Sequence, residues 1–203
     1  MLDIDIEEIS NANYCAALDI IKELKIEEIW EKHNSKANLV GSVKTKLLMN
    51  HLDIDYHIYS DDFSIEKSFS AIGEIANHPK ISKILYINSI EKEDRCLEWH
   101  LDYVDDQKRL WQIDMIHILN DSPYVGKFER VAEKMNHILT DEIRKTILKI
   151  KWELARNKRK AMGIEICQAV IKDNILKYSE FLEWQEVNKN DGILKWEPEI
   201  PIH

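Results

Sequence analysis

The segment LVGSVKTKLLMNHLDIDYHIYS, residues 39–60, joins two different patterns. Its second half, LDIDYHIY at 52–59, alternates and is rich in β-branched and aromatic residues, which predicts a strand. Successive strand side chains point to opposite faces, so Asp53, Asp55, His57 and Tyr59 share one face and Ile54, Tyr56 and Ile58 the other. The two carboxylates then stand roughly 7 Å apart along the backbone. Like charges at that spacing repel; they are tolerable at a solvated edge, and useful where a hard cation such as Mg2+ binds through oxygen ligands. The same LDID tetrapeptide occurs at 2–5, and 37 acidic residues among 203 make a chance Asp-x-Asp expected. The surroundings of each copy must therefore distinguish them.

Upstream of the second copy, ANLVG reads as a short strand ending at Gly41, and VKTKLLMN, 43–50, as a short helix beginning just after Ser42. Unpaired backbone N–H groups and the helix dipole make such a junction an anion site. Glycine lets a phosphate approach the backbone, and the serine hydroxyl adds a donor. The ten residues from Val43 to Leu52 leave room for two helical turns and a reversal, so the Gly-Ser turn and the carboxylate strand can be neighbours. A third acid, Asp114, lies in LWQIDMIHI between Ile113 and Met115. Burying it there is costly unless a cation or hydrogen bonds compensate. Asp3 and Asp5 have no Gly-Ser before them and lie in a terminus expected to be mobile.

Around this segment the chain divides in two. Apolar residues at helical steps predict a helix over 14–32, and another runs from Ser64 to Asn77, stopped by Pro79. ISKILYINS at 81–89 reads as a strand, and 95–104 with 109–118 as a β-hairpin around DDQK. From Gly126 onward the spacing is helical. The expected class is α+β: a mixed α/β part over 1–122 and a helical C-terminal subdomain over 123–203.

Composition bounds the function. With 44% hydrophobic and 32% charged residues, 5 Gly and 4 Pro, the chain is that of an ordinary globular protein. No apolar run reaches the roughly 18 residues of a membrane span, and the start MLDIDIEEIS is acidic where a secretion signal is basic, so no membrane association and a cytoplasmic location are expected. Cys15, Cys96 and Cys167 fit neither a disulfide framework nor a zinc site and read as buried small hydrophobes. A net charge of −9 disfavours nucleic acid as a partner. One basic stretch, Arg144 to Lys160, stands against that balance. No P-loop, dinucleotide fingerprint, nucleophile elbow or HExxH is present.

A Gly-Ser turn, an alternating Asp-x-Asp strand about ten residues later, and a third apolar-flanked acid on a later strand together resemble the nucleotidyltransferase superfamily of DNA polymerase beta, including small antibiotic-modifying nucleotidyltransferases. The resemblance covers roughly 37–118. It implies a mixed sheet flanked by helices, a nucleoside triphosphate donor such as ATP, and two divalent ions, Mg2+ with Mn2+ as a substitute. Carried over to this sequence, Gly41 and Ser42 would hold the triphosphate, Asp53 and Asp55 would ligate metal, and Asp114 would complete the metal site beside the attacking hydroxyl. Many members have another small residue after the Gly-Ser; here VKTKLL follows, so Lys44, Thr45 or Lys46 either crowds the phosphates or contacts them.

The expected activity is transfer of a nucleoside monophosphate to a hydroxyl of a small molecule with release of pyrophosphate. YSDD at 59–62 and YVDD at 103–106 suggest an aminoglycoside-like cation as acceptor. A protein hydroxyl is a further option, and a non-catalytic nucleotide-binding or antitoxin-like partner on the same fold is the alternative of another class. His57 shares the face of Asp53 and Asp55. Glu98 and His100 become acceptor-pocket candidates if the hairpin register puts them on the face of Asp114. The basic stretch is either the solvated side of helices or, through Lys149 or Lys151, a phosphate clamp. Trp152, Trp184 and Trp196 read as packing residues rather than base-stacking platforms.

Overall fold

The structure is a computed structural model and describes residues 5–188 and 196–199. In chain order its elements are α1 (Ile6–Leu24), α2 (Ile26–Lys32), β1 (Ser35–Val40), α3 (Gly41–Lys44), β2 (Asp53–Ser60), α4 (Ile65–Ala76), β3 (Ile81–Asn88), β4 (Cys96–Val104), β5 (Leu110–Ile118), α5 (Lys127–Ile138), α6 (Asp141–Arg156), α7 (Gly163–Ile171) and α8 (Tyr178–Val187). The five strands form one mixed sheet in the order β1-β2-β5-β4-β3. β2 and β5 run parallel, and every other neighbouring pair is antiparallel. The class is α+β, as the sequence pattern predicts.

Local chemistry accounts for the ends of the elements. Asp5, in the first LDID copy, caps α1: its carboxylate accepts the N–H groups of Glu7 and Glu8 at 3.0 and 3.1 Å. The helix expected over 14–32 thus starts eight residues sooner, and it breaks at Lys25, which is left-handed at φ 50°. The apolar periodicity runs across this break because Ile26, Ile29 and Trp30 are also buried. Ser64 caps α4 by accepting the Lys67 N–H at 3.3 Å. Cys96 and Cys167 are buried as expected, whereas Cys15 is exposed.

The helix expected over 43–50 is a single turn, Gly41–Lys44. Leu47, Leu48 and Met49 are all buried, and three consecutive positions span most of the circumference of a helix. An irregular segment can instead send them in different directions. Leu48 joins a core beneath the sheet, while Leu47 and Met49 join a second core among the later helices. The backbone so exposed is satisfied by side chains. Arg144 donates to the carbonyls of Thr45 and Lys46 at 2.7 and 2.8 Å, and Lys151 to that of Leu47 at 2.8 Å. Ser10 and Asn13 of α1 donate to those of Leu48 and Met49 at 2.7 and 2.9 Å.

The first core packs Ile54, Tyr56, Trp99, Leu101, Ile113 and Met115 of the sheet against α1, α2 and α4. The second gathers apolar residues of α5 to α8, with Ile6 and Ile9 of α1 packed on it. Trp184 is buried there and stacks on Phe181, and Trp152 packs on the same core.

A polar chain crosses the first core. His117, 1% exposed, has Nε2 2.7 Å from Ser60 Oγ and Nδ1 3.1 Å from Ser68 Oγ, which also accepts the Trp99 indole N–H at 3.0 Å. Burial pushes the His117 pKa down to about 4, so the imidazole is neutral in the fold. Between an ordinary 6.5 and that value the unfolded chain holds the extra proton, so the stabilisation is complete above pH 6.5 and is lost as pH falls through 4. Chemical denaturation at pH 7 and 4.5 should show His117→Gln losing its disadvantage to wild type by about 2 to 3 kcal/mol at the lower pH.

Candidate active site

The face of the sheet opposite the first core carries the acids. β2 and β5 pair in register with Asp55 beside Asp114, which puts both carboxylates on one face of adjacent strands, about 4.8 Å apart at the backbone. Asp53 lies on the same face, one pleat away. All three line a cavity of about 420 Å³ together with Gly41, Ser42, Lys151, Phe128, Val131 and Met135.

The hairpin register places His100 opposite Asp114, with Glu98 on the same side. His100 Nδ1 is 2.7 Å from Asp114 Oδ1, and His100 Nε2 is 3.6 Å from Glu98 Oε2. Gln112 Nε2 donates to both oxygens of Asp114, at 2.9 and 3.0 Å. Asp114 is therefore oriented from two sides by neighbours on its own sheet. The role of Gln112 is invisible in an alternating pattern until the strand order is known.

The Gly-Ser turn packs directly on Asp55. Gly41 is left-handed at φ 66°, and a Cβ added to it would overlap the Asp55 carboxylate. Lys151 of α6 reaches across, with Nζ 3.0 Å from Ser42 Oγ. Of the two lysines considered from sequence, Lys149 is exposed, whereas Lys151 is half-buried and lines the cavity. Its position, three and four residues after the buried Leu148 and Ile147, was a readable signal. Lys44 is exposed and is not among the cavity's lining residues. Because α3 is one turn long, its dipole is small, and the anion-binding capacity rests on the Ser42 hydroxyl, the turn's backbone and Lys151.

Burial, followed by repulsion from Asp53 and Asp114, raises the Asp55 pKa well above the ordinary carboxylate range; Lys151 and the Ser42 N–H offset this in part. Burial also raises Asp53, against the opposing pull of Lys151 and His51. Among the described residues no three acid, imidazole or thiol groups are already drawn in to hold a common ion. The donor set nonetheless suits a hard divalent cation: three carboxylates on one face, two of them short of countercharge, while the one lining cysteine, Cys167, is kept a neutral thiol by burial.

His57 turns from the acids toward α5. Its Nδ1 is 3.4 Å from Glu129 Oε1, and its ring meets Phe128 edge-on with centroids 5.0 Å apart. Burial raises the Glu129 pKa, but His57 and Tyr59 outweigh it and hold the carboxyl below its ordinary value. Gly126 N–H donates to Tyr59 Oη at 3.0 Å. The strand thus anchors the start of α5 over the cavity. YSDD and YVDD lie outside it: Asp62 pairs with Lys67 at 2.7 Å, Asp105 accepts from Arg109 and the Trp111 indole, and Asp106 pairs with Lys80.

No protein-family model and no curated protein matches the chain. Solved structures do. The Cid1 poly(U) polymerase, as an H336N mutant bound to MgATP, superposes with a TM-score of 0.63 at 12% identity, over 84% of this chain and 55% of that one. The GLD-2/RNP-8 complex matches at 0.56 and 11%, over 82% and 58%. The polymerase core of TRAMP, an RNA surveillance complex, matches at 0.51 and 15%, over 86% and 59%. The chain thus shares the fold of these polymerase structures, and it spans just over half their length.

Crowded acids should cost stability. With its pKa raised in the fold, Asp55 keeps a proton that the unfolded chain releases above about pH 4, so stability falls as pH rises from there. In chelator, Asp55→Asn should be more stable than wild type at pH 7.5 by about 1 kcal/mol or more, with the gain disappearing below pH 4 in denaturant titrations.

Proposed function

We propose that this protein is a Mg2+-dependent nucleotidyltransferase that moves a nucleoside monophosphate from a nucleoside triphosphate to an acceptor hydroxyl and releases pyrophosphate. The observation that carries this reading is the in-register pairing of Asp55 with Asp114, with Asp53 alongside and Ser42 and Lys151 facing them across one cavity. The fold supports it, and so does the Mg2+ nucleotide held by the similar Cid1 structure.

Asp53, Asp55 and Asp114 would hold the divalent ions, which when bound polarise the phosphate and make the acceptor hydroxyl easier to deprotonate. The chain's own groups do the rest. Ser42 Oγ and the Gly41–Ser42 backbone receive phosphate oxygens, which the left-handed glycine leaves room to approach. Lys151 gives up its bond to Ser42 Oγ for a charge-assisted bond to phosphate and keeps its bond to the Leu47 carbonyl. Gln112 and His100 keep Asp114 in one orientation, so that its carboxylate need not reorganise on the way to the transition state.

A second groove of about 590 Å³ starts at Ser42, Asp53 and Lys151 and runs past His51 to Arg159 and Lys160. With Lys151, Arg159 and Lys160 against Asp53 and Glu165, its lining favours an acceptor whose hydroxyl neighbours a phosphate, the chemistry of an RNA 3′ end, over an aminoglycoside-like cation. Similar solved structures include Cid1, with RNA terminal uridylyl transferase activity, and the non-canonical poly(A) polymerase complex of GLD-2 with GLD-3. The net charge of −9 weakens general attraction to RNA, which leaves this local groove as the point of contact.

Asp55→Asn should abolish Mg2+-dependent stabilisation by nucleoside triphosphates and lower pyrophosphate release on an RNA oligonucleotide by at least about a hundredfold. Unchanged release in that variant would refute the assignment, and nucleotide binding without pyrophosphate release from any hydroxyl acceptor would identify a binder. Arg159→Ala with Lys160→Ala should raise the KM for RNA about tenfold while leaving the KM for nucleotide unchanged, measured in the same assay.

A further inference from the structure

Residues 196–199 lie along α5. Glu197 Oε2 is 2.8 Å from Lys134 Nζ and Oε1 is 4.0 Å from Arg130 Nη2, while Pro198 is buried. This clamp presents Trp196 to the cavity that holds the three aspartates. The indole is half-buried: it packs on the second core and also lines the cavity wall with Phe128, Val131, Ala132 and Met135. Trp184 shows what a purely structural tryptophan looks like in this fold, with its indole N–H bonded to Asp173 at 2.8 Å and no part in the cavity lining.

The cavity is chemically divided. Acids, hydroxyl and ammonium cluster at one end, and apolar side chains from α5 together with Trp196 form the other. A nucleotide whose phosphates rest on Ser42 and Lys151 can turn its base toward this apolar wall, on which Trp196 is the one aromatic ring besides Phe128. We propose that Trp196 is the stacking wall for the nucleobase of the bound triphosphate, positioned by the Glu197 clamp; this rests on the nucleotidyl-transfer reading above. A π-face accepts every base, so the wall adds affinity for the nucleoside without selecting among bases.

The test is calorimetric titration of the full chain with Mg·ATP and with Mg·tripolyphosphate, which carries the same anion and no base. Trp196→Leu keeps the apolar packing but removes the π-face; it should weaken Mg·ATP about tenfold, leave tripolyphosphate unchanged, and be rescued by Trp196→Phe. Equal losses for both ligands, or no loss for either, would overturn the proposal. Wild type binding tripolyphosphate as tightly as Mg·ATP would overturn the stacking alone, whereas wild type binding neither would overturn the nucleotide reading beneath it. Should Trp196→Leu fail to fold, Lys134→Gln releases the clamp without touching the wall. It should show the same base-dependent loss in weaker form, and its absence would equally count against the proposal.

Discussion

Five consecutive carbonyl oxygens, from Thr45 to Met49, lie in a largely buried segment with no regular structure to bond them, and the arrangement of the molecule follows from how they are satisfied. A buried carbonyl left without a donor costs on the order of a kcal/mol or more. Here Arg144 and Lys151 of α6 and Ser10 and Asn13 of α1 supply the donors. These bonds tie the helices to the strand-connecting segment, whose own side chains divide between the two cores. The Gly41–Ser42 turn at one end of the segment and β2 at the other are thereby held in a fixed relation. The same lysine that closes the Leu47 carbonyl also bonds Ser42 and lines the cavity with the acids, so one side chain ties the connecting segment to the candidate site.

The second constraint is charge. Burial, with repulsion from the neighbouring acids, raises the proton affinity of Asp55 and Asp53, and the protein tolerates this with one ammonium group nearby and a glycine turn pressed against Asp55. Such crowding is a cost in the folded chain alone and becomes favourable when cationic charge enters. Functional sites commonly keep such local destabilisation, with the surrounding fold supplying the surplus stability. Around the acids, hydrogen bonds fix orientation. Gln112 and His100 hold Asp114, Glu98 supports His100, and Ser89 donates to Glu98 at 2.6 Å.

The helical half contributes more than a lid. The His57–Glu129 pair and the Gly126–Tyr59 bond dock the start of α5 on β2, so the apolar wall of the cavity is set from the same strand that carries Asp53 and Asp55. The cavity consequently has a polar end made by β2, β5, the Gly-Ser turn and Lys151, and an apolar wall made largely by α5.

By itself the sequence determined the strands, the Gly-Ser turn and the three aspartates, because alternation, turn chemistry and the cost of an acid among apolar neighbours are local properties. The helix expected over 43–50 was not legible: its backbone is bonded by Ser10, Asn13, Arg144 and Lys151, donors distant in the chain that displace the local helical bonds. Nor were the side of the sheet on which Glu98 and His100 fall, the isolation of YSDD and YVDD from the site, or the cavity-facing side of Trp196. Each depends on strand register or on how helices dock, and a one-residue slip or a modest rotation would reverse it. Tertiary structure decided these because only the packed chain brings distant groups within bonding range.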